Sequence, residues 1–187
     1  NMFGEVFDQV TRYNYNFSLP FLHSGDPVSL KVNVLGRSIG GNSSFTVQSG
    51  GASGTIAIPP VGTSSDSDYG KYVSGLFSMP ASGSNFPISV SFTKYDPITS
   101  IGYMDFLEVN ARRDLKMTGD QLAFRDLTTV GPGRVGDFTL DLAGSVQHIW
   151  EVTAPTDVRE VPFTDNGTQK VFKAATDSLR QFIAFKS

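Results

Sequence analysis

Two histidines, His23 and His148, are the side chains best suited to ligate a metal or carry a proton near neutral pH. His23 follows the turn Pro20-Phe21-Leu22. His148 falls on an alternating segment, on the same face as Val146, Trp150 and Val152. A metal centre or a catalytic triad needs several convergent groups. Nothing in the spacing brings these two together, so His148 is expected to be a packed or hydrogen-bonded strand residue. Asp66 and Asp68, in the polar loop from Gly62 to Asp68, could offer oxygens to calcium. The EF-hand pattern and its closing glutamate are missing. A solvated loop is the expectation, with calcium left open. Asp105 and Glu108 are three positions apart on one strand, which sends them to opposite faces. They do not form a paired-carboxylate site from that strand alone. Asp105 is expected to make a buried or edge hydrogen bond.

No Gly-x-Ser-x-Gly elbow occurs, and Ser82-Gly83-Ser84 reads as a loop. The stretch from Gly36 to Gly41 contains glycines, but no helix follows to make a phosphate cradle. No residue is therefore assigned a catalytic, cofactor-binding or metal-ligating role, and no cofactor is expected. Tyr13, Tyr15, Tyr72, Tyr95, Tyr103 and Trp150 raise a different chemistry, the stacking of sugar rings on exposed aromatics. The competing reading is that these rings fill the core and the cross-strand pairs. Asn16, Asn42 and Asn166 each begin an Asn-x-Ser/Thr triplet, a pattern too short to fix a source. Arg112 and Arg113, with Lys116, are read as a solvated strand end, with contact to another domain as the alternative.

The elements that would position these residues are strands. Val28 to Val34 sends Val28, Leu30, Val32 and Val34 to one face and Ser29, Lys31 and Asn33 to the other. Tyr13, Tyr15, Phe17 and Leu19 share a face in the same way. Further strands are expected at Phe45 to Gln48, Thr55 to Ile58, Tyr69 to Met79, Phe86 to Tyr95 and Ile101 to Lys116. The last is the longest, apolar on both faces up to Phe106, and is expected to be central and doubly covered. Shorter strands follow at Gln121 to Arg125, Arg134 to Leu140, Val146 to Val152, Val158 to Pro162, Gln169 to Lys173 and Arg180 to Phe185. Gly36 to Ser44 is expected to be a turn, Asn166-Gly167 the loop of a hairpin, and Thr176 to Arg180 one helical turn.

The chain has 187 residues, no cysteine, a formal charge of −3, 19 glycines, 10 prolines and 15 phenylalanines. Without cysteine, disulfides, thiolate metal sites and a cysteine nucleophile are excluded within it. The slightly acidic balance argues against nucleic acid. No apolar stretch approaches the ~20 residues of a membrane helix. Asn1 before Met2 is read as a cut end, so the chain is expected to be a piece of a longer protein. Many short strands at close spacing specify an all-β sandwich or barrel. The string Tyr103-Met104-Asp105-Phe106-Leu107-Glu108-Val109 resembles the late strand of galactose-binding-like jelly rolls, which implies a β-sandwich of that kind with additional short C-terminal strands. The expected division is a sandwich over 1–117 and a smaller β module over 118–187, packed on it and leading onward, with a turn inside one continuous sandwich as the alternative.

The strings Ile101 to Gln121, Phe124-Arg125-Asp126, Ile149-Trp150-Glu151-Val152-Thr153 and Ala175 to Arg180 with Phe182-Ile183-Ala184-Phe185 resemble the PorU-type sortases. These are the signal peptidases of the type IX secretion system of Bacteroidetes, within the gingipain-like cysteine peptidases. The resemblance is to the non-catalytic β region before the peptidase domain. It implies a parent at the outer-membrane surface, facing outward, that removes C-terminal sorting domains from cargo. It implies three partners: the downstream peptidase domain of the same chain, the outer-membrane barrel protein PorV, and cargo sorting domains. The catalytic Cys and His would lie beyond Ser187, and no catalytic residue is carried onto this chain. The alternatives are a carbohydrate-binding module and a free-standing surface adhesin.

Overall fold

Side chains that alternate at period two form strands, and the apolar set of each strand must be covered. The computed structural model describes residues 4–186 and contains strands joined by turns, with one 3-10 turn at Leu127–Thr129. The chain divides into two units, Asn1–Arg113 and Asp114–Ser187. Among the described residues no helix is long and apolar enough to cross a membrane, which says nothing of a β-barrel.

The first unit holds β1 (Val6–Phe7), β2 (Arg12–Ser18), β3 (Val28–Arg37), β4 (Ser43–Ser49), β5 (Ala52–Ile58), β6 (Lys71–Met79), β7 (Asn85–Thr93) and β8 (Ile101–Asn110). One antiparallel sheet runs β1-β8-β3-β6 and the other β2-β7-β4-β5. The chain crosses between the sheets in a palindromic order, as a double-sheet jelly roll of eight strands does. The core lies between them. Val28, Leu30, Val32 and Val34 of β3 meet Phe45 and Val47 of β4 and Phe86, Ile88, Val90 and Phe92 of β7. Each such side chain contributes roughly 1.5–3 kcal/mol by leaving water.

Glycine admits one of these contacts. Gly36 and Gly102 are register partners on β3 and β8. A Cβ on Gly102 would lie 2.5 Å from Phe45 Cζ, so the bare backbone is what lets that ring reach the sheet. Gly36 is therefore a strand residue, and the turn expected from Gly36 to Ser44 is only the link between Arg37 and Ser43. That link is tied by three buried serines that the sequence reading passed over. Ser38 Oγ donates to Gly41 O at 2.6 Å and lies 2.8 Å from Ser43 Oγ, which donates to Ser100 Oγ at 3.2 Å. Ser43 Oγ also accepts from Tyr95 N at 3.0 Å.

The strand expected from Ile101 to Lys116 ends at Asn110. Beyond it Arg112 O accepts from His23 N at 3.0 Å, and Arg113 bridges to Leu22. The backbone thus turns to the Pro20–His23 loop instead of continuing the ladder. The reading of both β8 faces as covered is also corrected. Met104 opposes Val34 and Phe106 opposes Asn33, so Asp105 is an extra residue, a β-bulge. The bulge flips the parity of everything after it. Gly102 and Met104 face the core before it, and Leu107 and Val109 face the core after it. Apolar residues on both faces of the sequence were one core face, shifted by one residue.

The second unit holds β9 (Gln121–Phe124), β10 (Val135–Leu140), β11 (His148–Glu151), β12 (Arg159–Glu160), β13 (Thr164–Asn166), β14 (Gln169–Ala175) and β15 (Phe182–Phe185). Its sheets run β12-β11-β15-β9 and β10-β14-β13. Phe124, Phe138, Phe172 and Phe182 gather in its core with ring centroids 5.0–6.3 Å apart. The hairpin at Asn166 forms, but Asn166 pairs with Gln169, so its two-residue loop is Gly167-Thr168. Gly167 has φ +75°, as the first position of a II′ turn requires. The segment from Thr176 to Arg180 is bent, not helical, because Thr176 is drawn inward. Thr176 Oγ1 donates to Thr129 O at 2.9 Å and Thr176 N donates to Arg134 O at 2.8 Å.

The same hairpin buries a lysine. Lys170, 2% exposed, faces Asp165 across the strands with Nζ 2.5 Å from Oδ2, and its ammonium lies 5.6 Å from the Phe163 ring centroid. The Lys170 hydrogen bond, and then that of Gly167 N–H, hold the Asp165 carboxyl below the usual carboxylate range. A carboxyl lowered in the folded state stabilises above its unfolded pKa of about 3.9, and the benefit is lost as pH falls through the folded value. The thermal midpoint of this unit is therefore expected to fall as pH drops below about 4. Asp165→Asn should lower the midpoint at neutral pH and flatten that acid limb. Melting curves from pH 7 to pH 2 on both proteins check this; an acid limb unchanged in the variant would refute it.

Candidate functional site

The outward residues of the two sheets in the first unit differ sharply in kind. On the β2-β7-β4-β5 sheet they include Arg12, Asn14, Thr46, Gln48, Ser89 and Ser91, the small polar set that a solvated sheet face carries. On the β1-β8-β3-β6 sheet the register lines up Val6, Tyr103, Leu35 and Tyr72 as one row across all four strands. The next row holds Phe106, Asn33 and Ser74, and the one after it Glu108, Lys31 and Leu76. Tyr72 is 52% exposed and Leu76 74% exposed. This aromatic and apolar face is the candidate site.

A hydrogen-bonded chain runs through its centre. Asn33 Nδ2 donates to Tyr72 OH at 3.1 Å, and Tyr72 OH donates to Asp105 Oδ2. The bulge is what turns Asp105 to this partner. Because Tyr72 spends its proton on Asp105, it accepts from Asn33, and that fixes the orientation of the amide. Asn33 Oδ1 is then a buried acceptor with no donor. The residue is 7% exposed. A buried polar atom left in this state costs about 1–3 kcal/mol.

At the β1 end, Tyr69 and Tyr103 join hydroxyls at 3.1 Å. That hydrogen bond, followed by burial and the charges around it, pushes the Tyr103 hydroxyl up to about 12. Arg37 stacks on the Tyr69 ring at 4.9 Å and donates to Tyr69 O at 2.8 Å. Lys31 Nζ lies 5.6 Å from the Phe106 ring centroid. Asp105 and Glu108, expected on opposite faces, thus share this one because the bulge shifts the parity between them, and Lys31 and Arg37 join them. The polar atoms of the face can orient a bound group and its rings can stack on one.

Of the six aromatics singled out in the sequence, Tyr72 and Tyr103 stand on this face. Tyr13 and Tyr15 pack against the core, and burial pushes the Tyr15 hydroxyl well above the ordinary tyrosine value. Tyr95 lies over Gly41, whose missing side chain makes room for the ring. Trp150 belongs to the second unit, on one strand face with His148 as expected, whereas Val146, expected on that face too, is buried in the core before β11 begins. Its ring meets Phe185 edge-on at 4.9 Å, and His148 stacks on Phe185 at 5.3 Å while Nδ1 lies 2.8 Å from Glu160 Oε1. His148 is thus a stacked and hydrogen-bonded strand residue.

Asp68 is engaged by Lys71 at 2.6 Å, which holds its carboxyl below the ordinary range. Arg112 pairs with Asp26 at 3.4 Å and Arg113 Nε donates to Pro20 O at 2.6 Å, both past the end of β8. Among the described residues no three His, Asp or Glu side chains gather around a metal-sized point. Sequence reasoning put Lys31 and Asn33 together on a polar strand face, but missed that they join Leu35, Tyr69, Leu76 and Phe106 on one aromatic face. Their only signal was an outward parity richer in apolar residues than solvent calls for, and the bulge scrambled it on β8.

No protein-family model and no curated protein matches the chain. Among solved structures, it is similar in fold to dimeric latent PorU from Porphyromonas gingivalis, with a TM-score of 0.79 and 18% identity. The likeness covers 97% of this chain and 18% of that one. The resemblance read from the strings at Ile101 to Gln121 and Ile149 to Phe185 thus meets a shared fold. A cycloisomaltooligosaccharide glucanotransferase from Paenibacillus sp. overlaps 95% of this chain and 41% of its own at 8% identity, but with a TM-score of 0.28 it carries no argument.

Proposed function

We propose that this chain is a non-catalytic β region of a type IX secretion sortase, lying before the peptidase domain at the outward surface of the outer membrane. The observation that carries the reading is the PorU fold followed over nearly the whole chain. The composition supports it. With no cysteine among the 187 residues, a gingipain-like nucleophile has to come from another part of a longer parent. In this reading the chain is a scaffold or docking module. Its partners are the downstream peptidase domain, the barrel protein PorV and the sorting domains of cargo. The row Val6, Tyr103, Leu35 and Tyr72 across β1, β8, β3 and β6 supplies an aromatic and apolar surface for such a partner.

The test is the native polypeptide. An antibody raised against these 187 residues should detect, in fractionated source cells, an outer-membrane band far larger than a 187-residue chain. The purified chain should release no sorting domain from a cargo protein. A band of the chain's own length, or cleavage by the purified chain, would overturn the proposal.

A further inference from the structure

We infer that the outer face of the β1-β8-β3-β6 sheet binds a neutral sugar ring, centred on Tyr72, Asp105 and Asn33. The inference goes beyond the sortase reading and does not depend on it. Its first support is the buried amide oxygen. Asn33 stands in the outward register of β3, and its buried Oδ1 has no donor beside the oriented Asn33–Tyr72–Asp105 hydrogen bonds. The second oxygen of Asp105 remains to accept as well. These two oxygens call for donors, and sugar hydroxyls supply them.

The charges point to a neutral ligand. Asp105 and Glu108 are balanced by Lys31 and Arg37, so neither an anion nor a cation gains a net field. The rings supply the other half of sugar recognition. Tyr72 presents an exposed ring beside the acceptors, and Phe106 stands across Asn33 on the other side. A few placed polar groups beside an aromatic surface are the usual composition of a small-ligand site. Asn33 is covered, so its oxygen meets a sugar hydroxyl through a small displacement of the half-exposed Tyr72 side chain that keeps the ring beside the acceptors. The opposite sheet face, polar but without aromatic side chains facing outward, serves as the internal control.

The experiment is an NMR titration of the whole chain with maltohexaose, cellohexaose, mannohexaose and xylohexaose, each to about 10 mM, a range that captures weak binding. At least one should shift the Asn33 side-chain amide and the Tyr72 ring signals. Tyr72→Ala should weaken that binding at least about tenfold, and Asp105→Asn should weaken it while leaving the ring in place. Gln48→Ala, on the opposite face, should leave it unchanged. Amide dispersion checks that each variant is folded. No shift with any of the four sugars would overturn the inference. So would shifts that centre on Trp150, or binding that survives Tyr72→Ala in a folded protein.

Discussion

Phe182→Ala is expected to lower the unfolding free energy of the Asp114–Ser187 unit by about 3–5 kcal/mol. Phe182 is 1% exposed and lies 5.5 Å from Phe124, 5.2 Å from Phe138 and 5.1 Å from Phe172, centroid to centroid. It touches every other ring of the cluster, so truncation leaves a hole that three rigid rings cannot all move to fill. A unit this small buries a smaller share of its surface than a full domain does. A loss of that size is comparable to the whole stability of a modest domain. Urea denaturation followed by circular dichroism checks the effect. A loss under about 1 kcal/mol would mean that the cluster collapses onto the vacated space.

Gly102→Val is the corresponding test in the first unit, with an expected loss of about 3 kcal/mol. The new Cβ would lie 2.5 Å from Phe45 Cζ and 3.2 Å from Phe92 Cγ. Phe45 is fully buried and held against Phe7 and Phe92, at 5.1 and 4.5 Å, so the ring has nowhere to go. The severe clash is with Phe45, the Phe92 contact being milder, and this makes a compensating change available. In the double variant with Phe45→Leu, part of the stability should return, and the coupling between the two positions should be negative. Additive losses would show that Gly102 matters for a reason other than the Phe45 contact.

The strands were legible because burial imposes period two, and Val28 to Val34 shows it plainly. The pairing of faces was less so. On β8 the one-residue bulge made a single core face look like two, and it hid Phe106 among apparently inward residues. Gly36 looked like a turn because a glycine needed for the approach of a neighbouring side chain carries no mark distinguishing it from one needed for a bend. The loop at Asn166 was placed one residue early, because cross-strand register selects the turn and Gly167 can serve in either position. The site itself was half visible. Tyr72 and Tyr103 were named as ring candidates, but Asn33 looked like an ordinary polar member of an alternating strand. Its partnerless oxygen follows from which proton Tyr72 gives away, and that is set by a residue 33 positions further on.

The bulge at Asp105 has a consequence best put in terms of insertions and deletions. Remove that one residue, and Ile101, Gly102, Tyr103, Met104, Phe106, Leu107, Glu108 and Val109 alternate outward and inward without a break. Every inward position of β8 keeps its parity after the loss. The fold therefore treats Asp105 as optional, whereas the outer face does not, since the deletion strips Tyr72 of its acceptor. A lineage could acquire or discard the carboxylate in a single three-base event without passing through an unfolded intermediate.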